Sequence, residues 1–206
     1  MNKTWYWFRN VFWYHYRWHT IGALCAVFFV VYFTVSMVTK ETPDFCYMLV
    51  ADELGMDLPV DEWDGPAAEI LGDLNGDGKV VIYGLMLGFS NSEMGMASRV
   101  KFFAEMTNEE LLLIVMDEKL IEEMGDMAAT GDGLMPLADL GLPSEAGRPW
   151  LVRVEPPPLF RAIGVERDFY LFVKALTPEK RERPEVRARF EQAAKFAKML
   201  LEMSNP

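Results

Sequence analysis

The feature that most constrains this chain is a run of 18 residues without a charged side chain, IGALCAVFFVVYFTVSMV, at positions 21–38. As an α-helix at ~1.5 Å per residue the run is about 27 Å long, close to the ~30 Å of a bilayer core. We therefore predict a transmembrane helix over residues 21–39. A removed signal peptide and a buried helix of a soluble protein are the alternatives. The sequence TVSMVTKET after the run offers no small-x-small cleavage site, which disfavours the first of them.

The flanks of this run predict its orientation in the membrane. Residues 1–20 contain no Asp or Glu and form an aromatic and basic segment, whose rings suit the lipid headgroup region. Lys3, Arg9 and Arg17 precede the run, whereas only Lys40 follows it closely. Because cationic residues favour the cytoplasmic side, we expect residues 1–20 to be cytoplasmic or interfacial and residues 40–206 to lie outside the cell. The predicted location is the cell membrane, with the lipid bilayer as a partner.

Charge separates the two parts of the chain. Residues 40–206 contain 17 Lys and Arg and all 31 Asp and Glu, a formal charge of −14. Such an acidic surface repels a phosphate backbone, so we predict no nucleic-acid partner. The two cysteines lie in different environments, Cys25 within the apolar run and Cys46 beyond it, so no disulfide framework is expected. Cys46 is predicted to be a buried strand residue.

The pattern of apolar runs predicts an α/β domain over residues 40–206. Strands are predicted at 45–51, 79–87 and 111–117, alternating with helices near 65–74, 97–106 and 118–125. Asp64 is the expected cap of the first of these helices, with Pro66 near its first turn. Strand–helix alternation favours right-handed crossovers and a mostly parallel, three-layer sheet of about five strands. Two further strands, at 150–155 and 168–176, are expected at an edge in either orientation. An amphipathic helix over 184–203 follows a start at Thr177 and Pro178.

The scarcity of histidine excludes several kinds of active site. His15 and His19 are the only histidines, and both precede the predicted span. Ser-His-Asp and Cys-His arrangements, and the usual histidine-containing zinc sites, are therefore unavailable in residues 40–206. No nucleotide-binding glycine motif or G-x-S-x-G sequence occurs. We predict no enzymatic activity; a hydrolase that uses paired carboxylates, such as Asp61 with Glu62 or Glu122 with Glu123, is the alternative.

One short segment has the composition of a metal loop. Asp73, Asn75, Asp77 and Gly78 have the spacing D-x-N-x-D-G, and the carbonyl of Lys79 occupies the next ligand position of a calcium loop. Position 12, where a bidentate acid belongs, is Gly84. The segment resembles the loops of dockerin and EF-hand modules over about eight residues. Two interpretations are open: a weak Ca²⁺ site at Asp73, Asn75, Asp77 and Lys79, completed by an acid such as Asp52 or Glu53, or a tight turn. Ca²⁺ is the only cofactor predicted.

Three segments, DGKVVIYG, RVKFFAEMTNEELLLIVMDEKLIEEM and GLMPLADLG, carry a further resemblance. Across residues 45–140 the order of elements resembles the first lobe of an extracellular solute-binding protein. That resemblance implies a parallel sheet that binds a solute in a cleft between two lobes, at strand ends. The candidate pocket rims are the loops after the second and third predicted strands, GFSNSE (88–93) and DEK (117–119). The segment FWYHYRWHTIGALCAVFFVVYF resembles uncharacterised single-pass membrane proteins of Gram-positive bacteria. We expect a non-enzymatic, membrane-anchored binding or assembly module that acts with a co-encoded membrane or extracellular protein. The alternative is a ligand-capturing lobe that pairs with another chain, with itself or with a transporter.

Overall fold

The computed structural model describes residues 6–7, 13–38, 42–52, 61–90, 92–123, 130–156, 161 and 167–204. Contacts within the chain divide it into two compact units, Met1–Thr42 and Pro43–Pro206. Several residues named above lie outside this description: Lys3, Arg9, Lys40 and Glu53, and the side chains of His15, Asp61, Glu62, Glu122 and Glu123.

The first unit contains a helix, α1, over Trp13–Val38. Its segment Tyr16–Val35 is long and apolar enough to cross a membrane. Apolar side chains are exposed all round this segment, among them Phe28, Val31 and Phe33. A helix with no polar face requires apolar surroundings. The predicted apolar helix is confirmed, and it begins at Trp13, before the run that identified it.

The second unit is built on a five-stranded sheet of described residues in the order β2-β1-β3-β5-β4. The strands are β1 (Phe45–Asp52), β2 (Ile82–Phe89), β3 (Leu111–Asp117), β4 (Val152–Val154) and β5 (Phe169–Val173). β1 pairs in parallel with β2 and β3, whereas β5 pairs antiparallel with both β3 and β4. The prediction of an α/β domain is confirmed.

The prediction of a mostly parallel sheet is wrong, because the sheet is mixed. β5 enters between β3 and β4 in the opposite direction. A parallel neighbour requires a long crossover, usually an α-helix. The connection from β4 to β5 begins with three consecutive prolines at 156–158, which remove backbone donors and disfavour a helix.

Helices cover both faces of the sheet. They are α2 (Asp61–Ile70), α3 (Glu93–Glu105), α4 (Glu118–Glu123), α5 (Pro178–Arg181) and α6 (Pro184–Ser204), with a 3₁₀ turn at Leu137–Leu140. Alternate residues of β1 point to opposite faces. Tyr47 and Leu49 join the core beneath α2 and α6, whereas Met48 and Val50 join the core beneath α3 and α4. The second unit therefore has three layers.

Several element boundaries differ from the predictions. α2 begins at Asp61, so Pro66 lies inside the helix and Asp64 is not its cap. α3 begins at Glu93 because the Ser92 side chain accepts a hydrogen bond from the Gly95 amide at 3.2 Å. The last predicted helix is divided into α5 and α6, the second of which starts at Pro184. Cys46 is buried in β1 as predicted, and both cysteines are free.

Candidate functional site

The carboxyl ends of β1 and β3 meet where the order of the sheet reverses. From β1 the chain proceeds to β2 on one side, and β3 then lies on the other side of β1. In open α/β sheets this switch point is where ligands bind. Four charged residues occupy it here, and we call them the switch-point cluster: Asp52, Asp117, Lys119 and Arg167.

Asp117, the last residue of β3, lies at the bottom of the cluster. Only 1% of its side chain is exposed. One carboxylate oxygen, Oδ1, accepts a hydrogen bond from the Lys119 amide at 3.0 Å. The other, Oδ2, lies 3.1 Å from a guanidinium nitrogen of Arg167. Both oxygens of this buried carboxylate are therefore satisfied, as burial of a charge requires.

The two cations of the cluster also contact Asp52, the last residue of β1. The Lys119 ammonium pairs with Asp52 Oδ2, and Arg167 lies 3.8 Å from the same oxygen. Arg167 also approaches the Asp52 carbonyl oxygen at 3.5 Å. The cations are nevertheless accessible, with 63% of the Lys119 side chain and 46% of the Arg167 side chain exposed. The cluster therefore exposes two cationic side chains to solvent, and each of them is ion-paired with a less exposed carboxylate.

Both rims named from the sequence lie at this edge of the sheet. DEK supplies Asp117 and Lys119 directly. In GFSNSE, the hydroxyl groups of Ser90 and Ser92 form a hydrogen bond with 2.6 Å between their oxygens, and Ser92 caps α3. A second ion pair joins Arg153 of β4 to Asp168, the residue before β5. The Asp168 carbonyl accepts a hydrogen bond from the Glu118 amide at 3.1 Å, which fixes the start of α4 next to β5.

The predicted calcium loop lies at the opposite edge, before β2. Its side-chain oxygens accept backbone hydrogen bonds within the loop: those of Asp73 from Gly76 and Gly78 at 2.6 and 2.7 Å, Asn75 from Asp77 at 2.9 Å, and Asp77 from Lys79 at 2.9 Å. The described residues contain no group of three or more His, Cys, Asp or Glu side chains placed to hold a metal ion. The loop forms a turn in this geometry, and Ca²⁺ binding by it stays a prediction.

Asp52 cannot complete a calcium site in this loop. It lies at the carboxyl end of β1, whereas the loop precedes Ile82, which pairs with Phe45 at the amino end of that strand. Eight residues of strand at ~3.3 Å each separate the positions of Asp44 and Asp52 by about 26 Å. Glu53, the other acid considered, lies outside the described residues.

The acid that does contact the loop is Asp44, which sequence reasoning missed. Its carboxylate accepts three backbone hydrogen bonds, from Leu74 at 2.8 Å, Asn75 at 3.0 Å and Val81 at 2.9 Å. Asp44 is almost fully buried, at 4% exposure. It therefore connects the start of β1 to the segment that leads into β2. Asp44 is one of two acids in the sequence KETPD (40–44), and nothing in that sequence signals this role.

A buried lysine marks a second polar location, at the end of β5. Lys174 lines a cavity of about 350 Å³ with Glu109 and Lys180, and its ammonium donates a hydrogen bond to the Asn108 carbonyl. Burial lowers the pKa of Lys174 to about 8, although the nearby Glu105 and Glu109 oppose that shift. Sequence reasoning identified neither the cavity nor this lysine.

Comparison of the chain with protein-family models, curated protein sequences and solved structures found no match in any of the three. The interpretation of the site therefore rests on its residues and their geometry.

Proposed function

We propose that this chain is a membrane-anchored binding module that captures a small anionic ligand at the switch-point cluster. The run 21–38 of α1 lies in the bilayer, residues 1–20 are cytoplasmic or interfacial, and residues 40–206 are extracytoplasmic. The apolar exterior of Tyr16–Val35 supports the anchor, the compact unit from Pro43 onward supports a separate domain, and the cations that precede the run favour the orientation. The observation that carries the ligand site is the position of Lys119 and Arg167, both exposed, at the switch point of the sheet.

The cluster has the chemistry to bind a carboxylate or a similar anion. Arg167 offers a planar set of N–H donors that suits two oxygens at once, and Lys119 supplies a second positive charge. Asp52 and Asp117 hold these cations in place before a ligand arrives. Preorganised donors reduce the entropic cost of binding. The proposed ligand is therefore a small organic anion.

The proposed activity is binding without turnover. The residues of the cluster are held in ion pairs, and residues 40–206 contain no histidine to transfer a proton near neutral pH. A second candidate function is capture of the ligand jointly with another chain, as a lobe related in architecture to solute-binding proteins. The location of the cluster at one rim of the sheet favours it, because a second chain could close over that rim. A co-encoded membrane or extracellular protein is the partner proposed.

Protease protection tests the proposed location. The full chain, carrying an epitope at its carboxyl terminus, is expressed in bacterial cells whose outer surface is accessible to added protease. Loss of the epitope from intact cells is expected, because residues 40–206 are then outside. Retention of the epitope until the cells are lysed would contradict the orientation. A cytoplasmic reporter protein that resists digestion in the same sample confirms that the cells are intact.

Ligand binding is tested with the full chain in detergent or lipid nanodiscs. A panel of dicarboxylates, amino acids, phosphates and neutral sugars is screened by thermal shift, because a ligand that binds only the folded state raises the melting temperature. Stabilisation by an anion is expected, with at least a tenfold loss of affinity in Lys119→Gln. Arg148→Gln, an exposed cation outside the cluster, is the matched control. Binding of neutral sugars alone, or equal binding by both variants, would refute the site.

A further inference from the structure

Lys174, the residue after β5, is held in place by its backbone. Its amide donates a hydrogen bond to the Leu112 carbonyl at 2.8 Å, and it forms an isolated antiparallel bridge with Leu134. Val173, the residue before it, pairs with Leu113 near the amino end of β3. Lys174 therefore lies at the opposite edge of the sheet from the switch-point cluster, on a backbone that is fixed from two sides.

The side chain of Lys174 ends in a polar contact without an opposite charge. Lys174 is 4% exposed, and its amino group donates a hydrogen bond to the Asn108 carbonyl. It forms no ion pair with any residue that the structure describes. Glu109, an acid that lines the same cavity, pairs instead with Lys180 at 2.7 Å and with Arg183 at 3.5 Å. A buried amino group that no carboxylate compensates is costly to keep charged.

The cavity beside Lys174 has room for a small molecule. Its volume is about 350 Å³, which is at the lower end of the ~300–1,000 Å³ of ligand pockets. The apolar side chains of Met106, Ala175 and Leu176 form part of its lining. The cavity therefore suits a compact and partly apolar compound that enters next to the amino group.

The surroundings of Lys174 favour its neutral form. Burial is the largest cause that lowers its pKa to about 8; the positive charge of Lys180 acts in the same direction, and Glu105 and Glu109 oppose the shift. At pH 7.5 an amine with this pKa is neutral in roughly a quarter of the molecules, against about one in a thousand for an ordinary lysine. The neutral amine can donate one N–H to Asn108 and still keep a lone pair. Desolvation and a neighbouring cation are the conditions that make a lysine nucleophilic.

We propose that Lys174 binds a small uncharged aldehyde or ketone covalently, as an imine, in this cavity. The Nζ lone pair attacks the carbonyl carbon, a proton passes from nitrogen to oxygen through solvent, and loss of water leaves a C=N bond. One amine and one carbonyl compound give one imine and one water, so the step needs no oxidant or reductant. The apolar lining favours an uncharged compound. The proposal does not depend on ligand binding at the switch-point cluster.

Reductive alkylation of the full chain in detergent tests the proposal. Butanal and cyanoborohydride, which traps imines by reducing them, are added at pH 7.5, and peptide mass spectrometry gives the initial rate of labelling at each lysine. Lys174 is expected to react at least tenfold faster than the exposed Lys101 and Lys198, and to saturate at a lower butanal concentration. A buried lysine with a structural role alone would react more slowly than the exposed ones, and that result would overturn the proposal.

A charged aldehyde tests the class of ligand. Glyoxylate carries a carboxylate beside its aldehyde group and is used in the same assay, with Lys101 as the internal reference. The preference for Lys174 over Lys101 should be at least fivefold smaller with glyoxylate than with butanal. An equal or larger preference with glyoxylate would overturn the assignment of an uncharged ligand.

A pair of variants tests the contribution of the neighbouring cation. Lys180→Gln should slow the labelling of Lys174 at least twofold, because loss of the positive charge raises the pKa of Lys174. Lys195→Gln, at an exposed position of α6, is the matched control and should leave the rate unchanged. Far-UV circular dichroism and thermal melting establish that both variants fold. Equal rates in the two variants, or labelling of Lys174 that occurs only in urea, would overturn the proposal.

Discussion

The carboxylate of Asp117 and the guanidinium of Arg167 lie 3.1 Å apart, with the acid at 1% exposure and the base at 46%. Solvent therefore reaches the Arg167 side chain, whereas the buried Asp117 carboxylate relies on Arg167 to compensate its charge. Arg167→Gln is expected to lower the free energy of unfolding by about 3 kcal/mol, since removal of one partner leaves a buried charge uncompensated. Urea denaturation measures the change.

The neighbouring pair supplies the control for that measurement. Arg153 is 58% exposed where it pairs with Asp168, so Arg153→Gln should cost below ~1 kcal/mol. Equal losses in Arg167→Gln and Arg153→Gln would show that Asp117 does not rely on Arg167.

A glycine in β2 is required by an aromatic ring of β1. A Cβ atom on Gly84 would lie 2.6 Å from the hydroxyl oxygen of Tyr47, which is fully buried and packs against Phe196. Gly84→Ala is therefore expected to destabilise the protein by roughly 1–3 kcal/mol, as overpacking does. Thermal or urea denaturation tests this.

Gly65 provides the opposite case within the same unit. It lies in α2, and a Cβ there meets nothing within 4 Å. Gly65→Ala is expected to change the stability by less than ~1 kcal/mol, because the higher helix propensity of Ala is opposed by contact of its Cβ with the ring of Pro66, the next residue. A Gly84→Ala variant as stable as Gly65→Ala would contradict the packing around Tyr47.

A variant of the loop before β2 distinguishes the calcium site from the simple turn. Asp73→Ala removes the acceptor of two backbone hydrogen bonds, from Gly76 and Gly78, and should cost about 1–2 kcal/mol without any metal present. The calcium hypothesis predicts in addition that millimolar Ca²⁺ raises the melting temperature of the wild type and not of Asp73→Ala. Mg²⁺ at equal concentration is the ionic control. If Ca²⁺ does not stabilise the wild type, the calcium hypothesis is rejected and the loop is a turn only.

Lys174 predicts a dependence of stability on pH. Its pKa falls from 10.5 in the unfolded chain to about 8 in the folded one, because burial disfavours the ammonium. Between these values the folded state binds fewer protons, so the free energy of unfolding rises with pH. Cys46 acts in the opposite direction above pH 9, since burial raises its pKa to about 11. The interval from pH 8 to 9 is therefore the one in which to measure the effect of Lys174.

The comparison variant for this measurement is Lys174→Met. The stability of the wild type relative to Lys174→Met should increase from pH 8 to 9, measured by urea denaturation at each pH. Lys101→Met, at an exposed position, controls for the general effect of removing a cation. A constant difference between wild type and Lys174→Met across the interval would refute the effect of burial.

The strands that could be predicted from the sequence are those buried on both faces. β1 and β3 are continuous apolar runs between polar residues, and both were located correctly. The direction of β5 could not be predicted, because an apolar run does not show which way it enters a sheet. The start of α2 was misplaced because Pro66, which usually marks a first turn, lies within this helix.

The site was predictable only in part. Asp117 and Lys119 were named as a rim because they follow a predicted strand. Arg167 lies 115 residues from Asp52, in a segment with no recognisable pattern, so only the folded sheet brings the two together. Asp44 and Lys174 were missed for the same reason: their partners are backbone groups of distant segments, which leave no pattern in the sequence.

The first strand after Thr42 is a central one, flanked by β2 and β3. A pull directed along β1 from its amino end would load the pairing with both neighbours at once. The hydrogen bonds to both neighbours, and the three that Asp44 accepts at its start, must then shear together instead of peeling one at a time. A force along β1 from that end is therefore expected to meet more resistance than one that peels β4 from the edge of the sheet.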